Sequence, residues 1–337
     1  MKNNIPMKRL SNNGTAIDIP CIGMGTFGSD RFTPEQVSNA VKGAIEYGYR
    51  LFDCASVYGN EDLIGKVFSE VIANGTVKRE ELCIVSKVWN DMHGRGDVLL
   101  SCAKTLKDLQ IDYLDMYFVH WPFPNYHAPG CDGDARNPDS RPFFAEEFMA
   151  CWRQMERLYD MGLVKSIGMS NMTIPKLKAV LPLCRIKPAT IELELHPAFQ
   201  QEELYNYCVE KGIQPIGYSP IGSPNRPERD KTPEDIAATE LPEIVKIAES
   251  RGVHPAIICL KWSVQIGAVP IPFSVNNYKA NLDLTFNTPP LTDAELAEIK
   301  KADKNCRLIK GQVFLWEGAS DWRVLWDENG KIAGWND

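Results

Sequence analysis

The chain reads as an α/β protein of the (β/α)8 barrel class, a closed ring of parallel strands each followed by a helix. Three observations lead there. Short apolar, β-branched runs alternate with longer amphipathic stretches from about residue 20 to about residue 285, the pattern of a parallel sheet. Eight such runs occur, at 21–26, 51–55, 82–88, 114–119, 164–169, 189–195, 213–218 and 268–271. A length of 337 residues then suits one barrel, for which about 250 residues is typical, with the rest as insertions.

The helices fill the gaps between these runs. The clearest has Thr33 as N-cap, Pro34 at its first position, Val37, Ala40, Val41 and Ile45 on one face, and Gly48 as its stop. Others are expected at 61–71, 98–109, 146–159, 202–210, 241–250 and 255–265. Ahead of the first unit, residues 8–20 alternate around Asn12-Asn13-Gly14 and read as a hairpin that plugs the bottom of the barrel. The segment 121–144 after the fourth strand is long and rich in Pro, Asp and Asn, and long βα loops in such folds carry function. From Arg307 a tail holds Trp316, Trp322, Trp326 and Trp335, half of the eight tryptophans, and is expected over the active site or as a buried clasp on the barrel. No linker divides the chain, so one domain is expected over 1–337, with hairpin 8–20, barrel 21–306 and tail 307–337.

Composition excludes several classes. Hydrophobic residues at 44% and charged residues at 24% are ordinary for a globular protein. A net charge of -7 leaves no broad basic surface for phosphates, which argues against nucleic acid as a partner. The ten cysteines are scattered, without a CxxC pair or a Cys/His cluster, so no metal site is expected. Met1-Lys2-Asn3-Asn4 is followed by no apolar signal segment, and no run of about 18 apolar residues occurs, which together point to a cytoplasmic location. Oligomeric state leaves no trace in the sequence.

In a barrel the chemistry sits at the C-terminal ends of the strands. Asp53 closes the second strand, Tyr58 lies in the loop after it, Lys87 closes the third and His120 ends the fourth. Strands consecutive in sequence are neighbours here, so these four converge. A phenol with a pKa near 10 is a poor acid at neutral pH, and an adjacent ammonium lowers it. Lys87 supplies that charge, Asp53 orients the lysine, and His120 fixes a substrate oxygen against the hydroxyl. Singly, Tyr58 before Gly59 reads as a loop anchor and Asp53 as a turn cap; a lysine between Ser86 and Val88 is harder to explain, since lysine is almost never buried unpaired. Gly23-Met24-Gly25-Thr26-Phe27-Gly28 matches the GxGxxG dinucleotide fingerprint, but the helix signal waits until Thr33-Pro34, so the match reads as a decoy.

Gly25-Thr26-Phe27, GYRLFDCASVYGNE at 48–61, VSKVW at 85–89, VHWP at 119–122, GMSN at 168–171, ELHP at 194–197 and GYSPIG at 217–222 resemble the aldo-keto reductase family in order and spacing, over roughly residues 8 to 300. The resemblance implies a (β/α)8 barrel that binds NADP(H) or NAD(H) and interconverts carbonyls and alcohols. Its Asp-Tyr-Lys-His tetrad falls on Asp53, Tyr58, Lys87 and His120. It further implies that Ser170, Asn171 and Glu192 meet the nicotinamide carboxamide, that Tyr218 stacks on the ring, and that Ser219, Pro220, Ile221, Gly222 and Ser223 follow the pyrophosphate. Gly25, Thr26 and Phe27 line the coenzyme from the first strand, and Phe273, Ser274, Val275, Asn276 and Lys279 the ribose 2'-position.

Two positions depart from the family pattern. Glu192 stands where a glutamine is usual, and a carboxylate cannot donate to the carboxamide oxygen. Phe273 replaces a lysine that would meet the 2'-phosphate, so a weakened NADP preference with use of NAD is expected. The substrate pocket is expected from Phe27, Val57, Trp89, His120, Trp121, Phe123, Phe314 and Trp316, aromatic walls suited to a sugar-like carbonyl or an aromatic aldehyde. Two other readings remain: a barrel enzyme using Lys87 as a Schiff-base nucleophile, like an aldolase, and a catalytically weak regulatory homologue.

Overall fold

A computed structural model describes residues 5–12, 15–28, 31–127, 135–224, 226 and 231–333. Its frame is an eight-stranded parallel sheet whose order follows the sequence without a crossover, β3 (Met24–Gly25), β4 (Leu51–Asp53), β5 (Cys83–Val88), β6 (Met116–Val119), β7 (Ile167–Ser170), β8 (Thr190–Glu194), β9 (Gln214–Tyr218) and β10 (Val269–Pro270). Two backbone hydrogen bonds join its ends: Gly23 N–H donates to Pro270 O at 3.0 Å and Gly25 N–H to Pro272 O at 3.1 Å. The sheet thereby closes on itself. Pro270 and Pro272 take part only as acceptors, the one role a residue without an N–H has in a ladder.

Side-chain alternation separates two cores. Leu51, Cys83, Val85, Met116, Phe118, Ile216, Val269 and Ile271 fill the barrel interior, while the intervening strand residues face the helices in a larger outer core. Interior packing is tight enough to dictate a glycine: a Cβ on Gly168 would lie 2.3 Å from a Phe118 ring atom. The hairpin pairs β1 (Met7–Asn12) with β2 (Thr15–Pro20) in the register Asn12↔Thr15. Leu10 and Ile19 join the interior core and stopper its lower end. The turn at Asn13-Gly14 lies outside the described residues, as do part of the long loop and Trp335.

The helices around the sheet are α1 (Pro34–Tyr47), α2 (Glu61–Ala73), α3 (Asp97–Leu109), α4 (Ala145–Asp160), α5 (Ile174–Val180), α6 (Glu202–Glu210), α7 (Pro242–Arg251), α8 (Pro255–Gln265), α9 (Tyr278–Phe286) and α10 (Asp293–Lys301). In α1 the Thr33 hydroxyl accepts from Gln36 N–H while the Gln36 side chain accepts from Thr33 N–H, a reciprocal cap. The sequence missed α5, α9 and α10. α5 spans seven residues, too few to display a period. α9 lacks a side-chain cap at Asn277 and has little apolar asymmetry. Both α7 and α8 fall between β9 and β10, so one of them is an insertion and not the partner of a strand.

The strands are also shorter than the apolar runs that announce them. Leu114 and Val164 touch only through an isolated bridge, two or more residues before β6 and β7 begin. Apolar character marks burial and not hydrogen-bonded ladder alone. The glycine-rich segment supplies the two-residue β3, and α1 begins only at Pro34. A dinucleotide fingerprint, which needs the helix to open within the glycine turn, is therefore excluded.

Candidate active site

Three adjacent strand ends, those of β4, β5 and β6, bring the four expected reactive groups together. Inward alternation on β4 and β5 aims Asp53 and Lys87 into the top of the barrel, 4% and 1% exposed. The Lys87 ammonium donates to Asp53 Oδ1 at 2.5 Å and to the Cys54 carbonyl at 3.0 Å. It lies 5.4 Å from the centroid of the Tyr58 ring. Tyr58 is carried by a single 3-10 turn, Ser56–Tyr58, ended by Gly59 at φ 65°, a left-handed conformation that suits glycine. His120 follows β6, its ring centroid 6.0 Å from that of Tyr58 and edge-on to it.

Electrostatics assign a charge state to each group. Burial opposes the charge on Lys87, but Asp53 and then Glu192 outweigh it and hold the amine well above its ordinary pKa. Burial lowers the pKa of His120 well below its usual value, with Lys87 adding to the effect, so the imidazole is neutral. For Tyr58 the sequence anticipated a lowered phenol. The structure corrects this: burial raises it, and the opposing pull of Lys87 reduces the rise without reversing it. A phenol, an ammonium and a neutral imidazole share the site.

Around this centre lie the residues expected to bind a coenzyme. Ser170 ends β7 and donates to the Glu192 carbonyl at 3.2 Å. Asn171, at φ 58°, donates to the His120 carbonyl at 2.8 Å and accepts from the Tyr218 hydroxyl at 2.7 Å. Glu192 points inward beside Lys87, Oε2 at 3.4 Å from the ammonium. Thr26 bonds the Asp53 carbonyl at 2.8 Å, and a Cβ at Gly25 would approach Ile271 O to 3.1 Å. Ser219 to Ser223 form a turn directly after β9, in which Gly222 N–H donates to Ser219 O at 2.8 Å and the Ser223 hydroxyl donates to that of Ser219 at 2.7 Å; Pro220 is buried and Ile221 packs on the outer core. Farther out, the Phe273 ring stands 5.7 Å from Phe32, the Ser274 hydroxyl accepts from Asn277 N–H at 2.7 Å, Val275 joins the outer core, Asn276 is exposed, and the Lys279 ammonium lies 5.5 Å from the Tyr47 ring.

The residues expected to wall a substrate pocket form one aromatic chain. Phe27, half exposed, sits 5.1 Å from Tyr58; Trp89 is 4.9 Å from His120 and 6.0 Å from Phe314; Phe314 is 4.5 Å from Trp121 and 5.6 Å from Phe123. Val57 and Trp316 border the same cluster. Trp326 was seen in the sequence only as a tail tryptophan. It packs 5.6 Å from Trp121, donates to the Lys310 carbonyl at 2.8 Å and carries Arg307 stacked 3.4 Å above its ring. Arg307 escaped the sequence as a structural part of the site, whereas Asn125 was expected with the long loop to close its top. Asn125 donates to the Phe314 and Arg141 carbonyls, both at 2.8 Å, tying loop to tail. Its burial at 1% gives that loop residue a clasping task.

Among the described residues no group of His, Cys, Asp or Glu is arranged to hold a metal, the nine cysteines described are free, and no helix is long and apolar enough to cross a membrane. A closed barrel, a buried ammonium and a neighbouring phenol meet at one rim. The sequence profile of the Aldo/keto reductase family matches residues 21–304; the chain belongs to this family. An aldo/keto reductase of Synechocystis is 38% identical over 314 residues, covering 92% of this chain and 94% of that protein. Aldo-keto reductase family 1 member A1 of Gallus gallus is 39% identical, with coverages of 86% and 88%. The crystal structure of Bombyx mori aldo-keto reductase (AKR2E4) in complex with NADP superposes with a TM-score of 0.77 at 32% identity, covering 90% of this chain and 95% of that one.

Proposed function

We propose that this chain interconverts an aldehyde or ketone and its alcohol with NADP(H) or NAD(H), and that Tyr58 is the proton donor and acceptor. One observation carries the reading: the Lys87 ammonium, fixed by Asp53 at 2.5 Å, lies 5.4 Å from the ring centroid of a tyrosine that borders Phe27 and His120. The residues present fit a nicotinamide coenzyme, since Glu192 Oε1 is a buried polar atom without a hydrogen-bond partner among the described residues, beside Ser170 and Asn171. A bound reduced nicotinamide supplies the hydride. This chain supplies the proton.

In reduction, the carbonyl oxygen accepts hydrogen bonds from the Tyr58 hydroxyl and the neutral His120, and gains the tyrosine proton as negative charge develops on it. A raised phenol pKa keeps that proton on Tyr58 until the oxygen becomes more basic. The resulting tyrosinate is stabilised by Lys87, whose own charge Asp53 secures. The same geometry argues against the aldolase-like reading, because a Schiff-base nucleophile must shed its proton and Lys87 is held charged.

The phosphate end supports relaxed coenzyme choice. Phe273 offers a ring where a cation would meet a 2'-phosphate, which leaves Ser274, Asn276 and Lys279 to hold it. The pocket favours neutral substrates: Phe27, Val57, Trp89, Trp121, Phe123, Phe314 and Trp316 carry no charge, and Trp89 Nε1 is a buried donor unpartnered among the described residues, placed for a hydroxyl near the carbonyl. Loss of NADPH or NADH absorbance with a panel of sugars and aromatic aldehydes tests this reading. Turnover that disappears in Tyr58→Phe with coenzyme binding retained supports it; inactivity on the whole panel supports a regulatory protein instead.

A further inference from the structure

Glu192 enters the mechanism above only as a coenzyme contact, yet its surroundings ask more of it. It lies opposite Ser170 in the β7–β8 register and is 1% exposed. Oε2 is 3.4 Å from Lys87 Nζ, the ammonium that also donates to Asp53 Oδ1 at 2.5 Å. The titratable groups that face it are Asp53 from β4, Lys87 from β5, Tyr58 from the turn after β4 and Tyr218 from β9. Two carboxyls therefore share one ammonium where water is excluded. Ionising both would leave a buried excess of negative charge with carboxylate against carboxylate, and such a pair retains one proton. Asp53 has the stronger claim to the charge, because it takes the 2.5 Å bond from Lys87.

We propose that Glu192 is a positioning residue that stays a neutral carboxylic acid at neutral pH, sharing its proton with Asp53 so that one carboxylate faces one ammonium. Burial first and Asp53 second raise its hold on the proton well above the ordinary carboxylate range. Two consequences follow from the charge. Ionised Glu192 would make Tyr58 a weaker acid, as its contribution to the phenol is to raise it; with Glu192 neutral, Asp53 is the one carboxylate that opposes the field of Lys87. On the reading that the nicotinamide binds here, an ionised Glu192 favours the cationic oxidised ring over the neutral reduced one.

Glu192→Gln removes the titration while keeping the shape, and Glu192→Asp moves the carboxyl without removing it. A group whose folded pKa is raised weakens the fold as pH climbs from its ordinary value through the raised one. Relative to wild type, Glu192→Gln is thus expected to gain melting temperature as pH rises, with the gain absent in acid. Infrared spectra of the free protein at neutral pH should show a protonated carboxyl band that Glu192→Gln lacks and Glu192→Asp shifts. With coenzyme, the wild-type ratio of reduced to oxidised affinity should fall by up to about tenfold per pH unit above the titration and stay flat in Glu192→Gln. A spectrum of wild type minus Glu192→Gln that shows only carboxylate, with parallel melting profiles, overturns the proposal. Failure of both proteins to bind either coenzyme at any pH would overturn the functional reading instead, and the infrared and melting results would still decide on the proton.

Discussion

At the scale of single residues, the site turns on one ammonium. Lys87 is buried at a strand end and held charged by Asp53, so replacing it with methionine leaves Asp53 buried and unpaired and removes the cation that a tyrosinate needs. Lys87→Met should lower turnover by at least about a hundredfold, the lower range for loss of acid catalysis, measured as initial rate at saturating coenzyme. Phe273→Lys acts on a different property. Restoring a cation near the 2'-position should shift the NADPH to NADH ratio of kcat/KM toward NADPH by about tenfold, the order expected of a charge-assisted contact to phosphate; an unchanged ratio would place the phosphate elsewhere. The four reactive residues were legible because each ends a strand run or directly follows one. The direction of the Tyr58 shift was not, since a sequence displays the neighbouring lysine but not the burial that opposes it.

At the scale of elements, capping and clasping decide which segments stay ordered. The reciprocal cap on α1 is written in Thr33 and Gln36, and Thr33→Ala should cost about 1 kcal/mol of stability in urea unfolding. α5 and α9 went unread because seven residues cannot show a period and because α9 starts without a side-chain cap. The tail tells a similar story. Its tryptophans were visible, but whether they meet substrate or barrel depends on partners remote in sequence: Trp326 closes on Trp121, and Lys176 beneath it bonds Asp327 at 2.6 Å and the Leu325 carbonyl at 2.8 Å. Asn125 joins loop to tail through buried hydrogen bonds, so Asn125→Ala should cost about 1–3 kcal/mol for the acceptors left unpaired. Limited proteolysis should then cut the tail faster while the barrel persists.

At the scale of the whole molecule, the barrel is a ring sealed at its seam by backbone and at its base by the hairpin. Eight apolar runs in one domain length made the ring legible. The seam was not, because Gly23 and Gly25 bond to carbonyls almost 250 residues away in sequence, and no local pattern encodes such a pairing. Leu10 belongs to the interior core that also holds Leu51 and Met116, and Leu10→Ala should destabilise the protein by about 2–4 kcal/mol through the cavity it leaves. Closure is what brings Asp53, Lys87 and His120 from successive strands to one rim, with Tyr58 against Phe27 and His120. The central claim is that this tyrosine carries the proton. Its most direct measurement is single-turnover NADPH oxidation with a carbonyl substrate in wild type and Tyr58→Phe, alongside coenzyme binding by fluorescence quenching. Tyr58→Phe should bind coenzyme as wild type does and transfer no measurable hydride; a Tyr58→Phe protein that reduces the carbonyl at the wild-type rate would contradict the account.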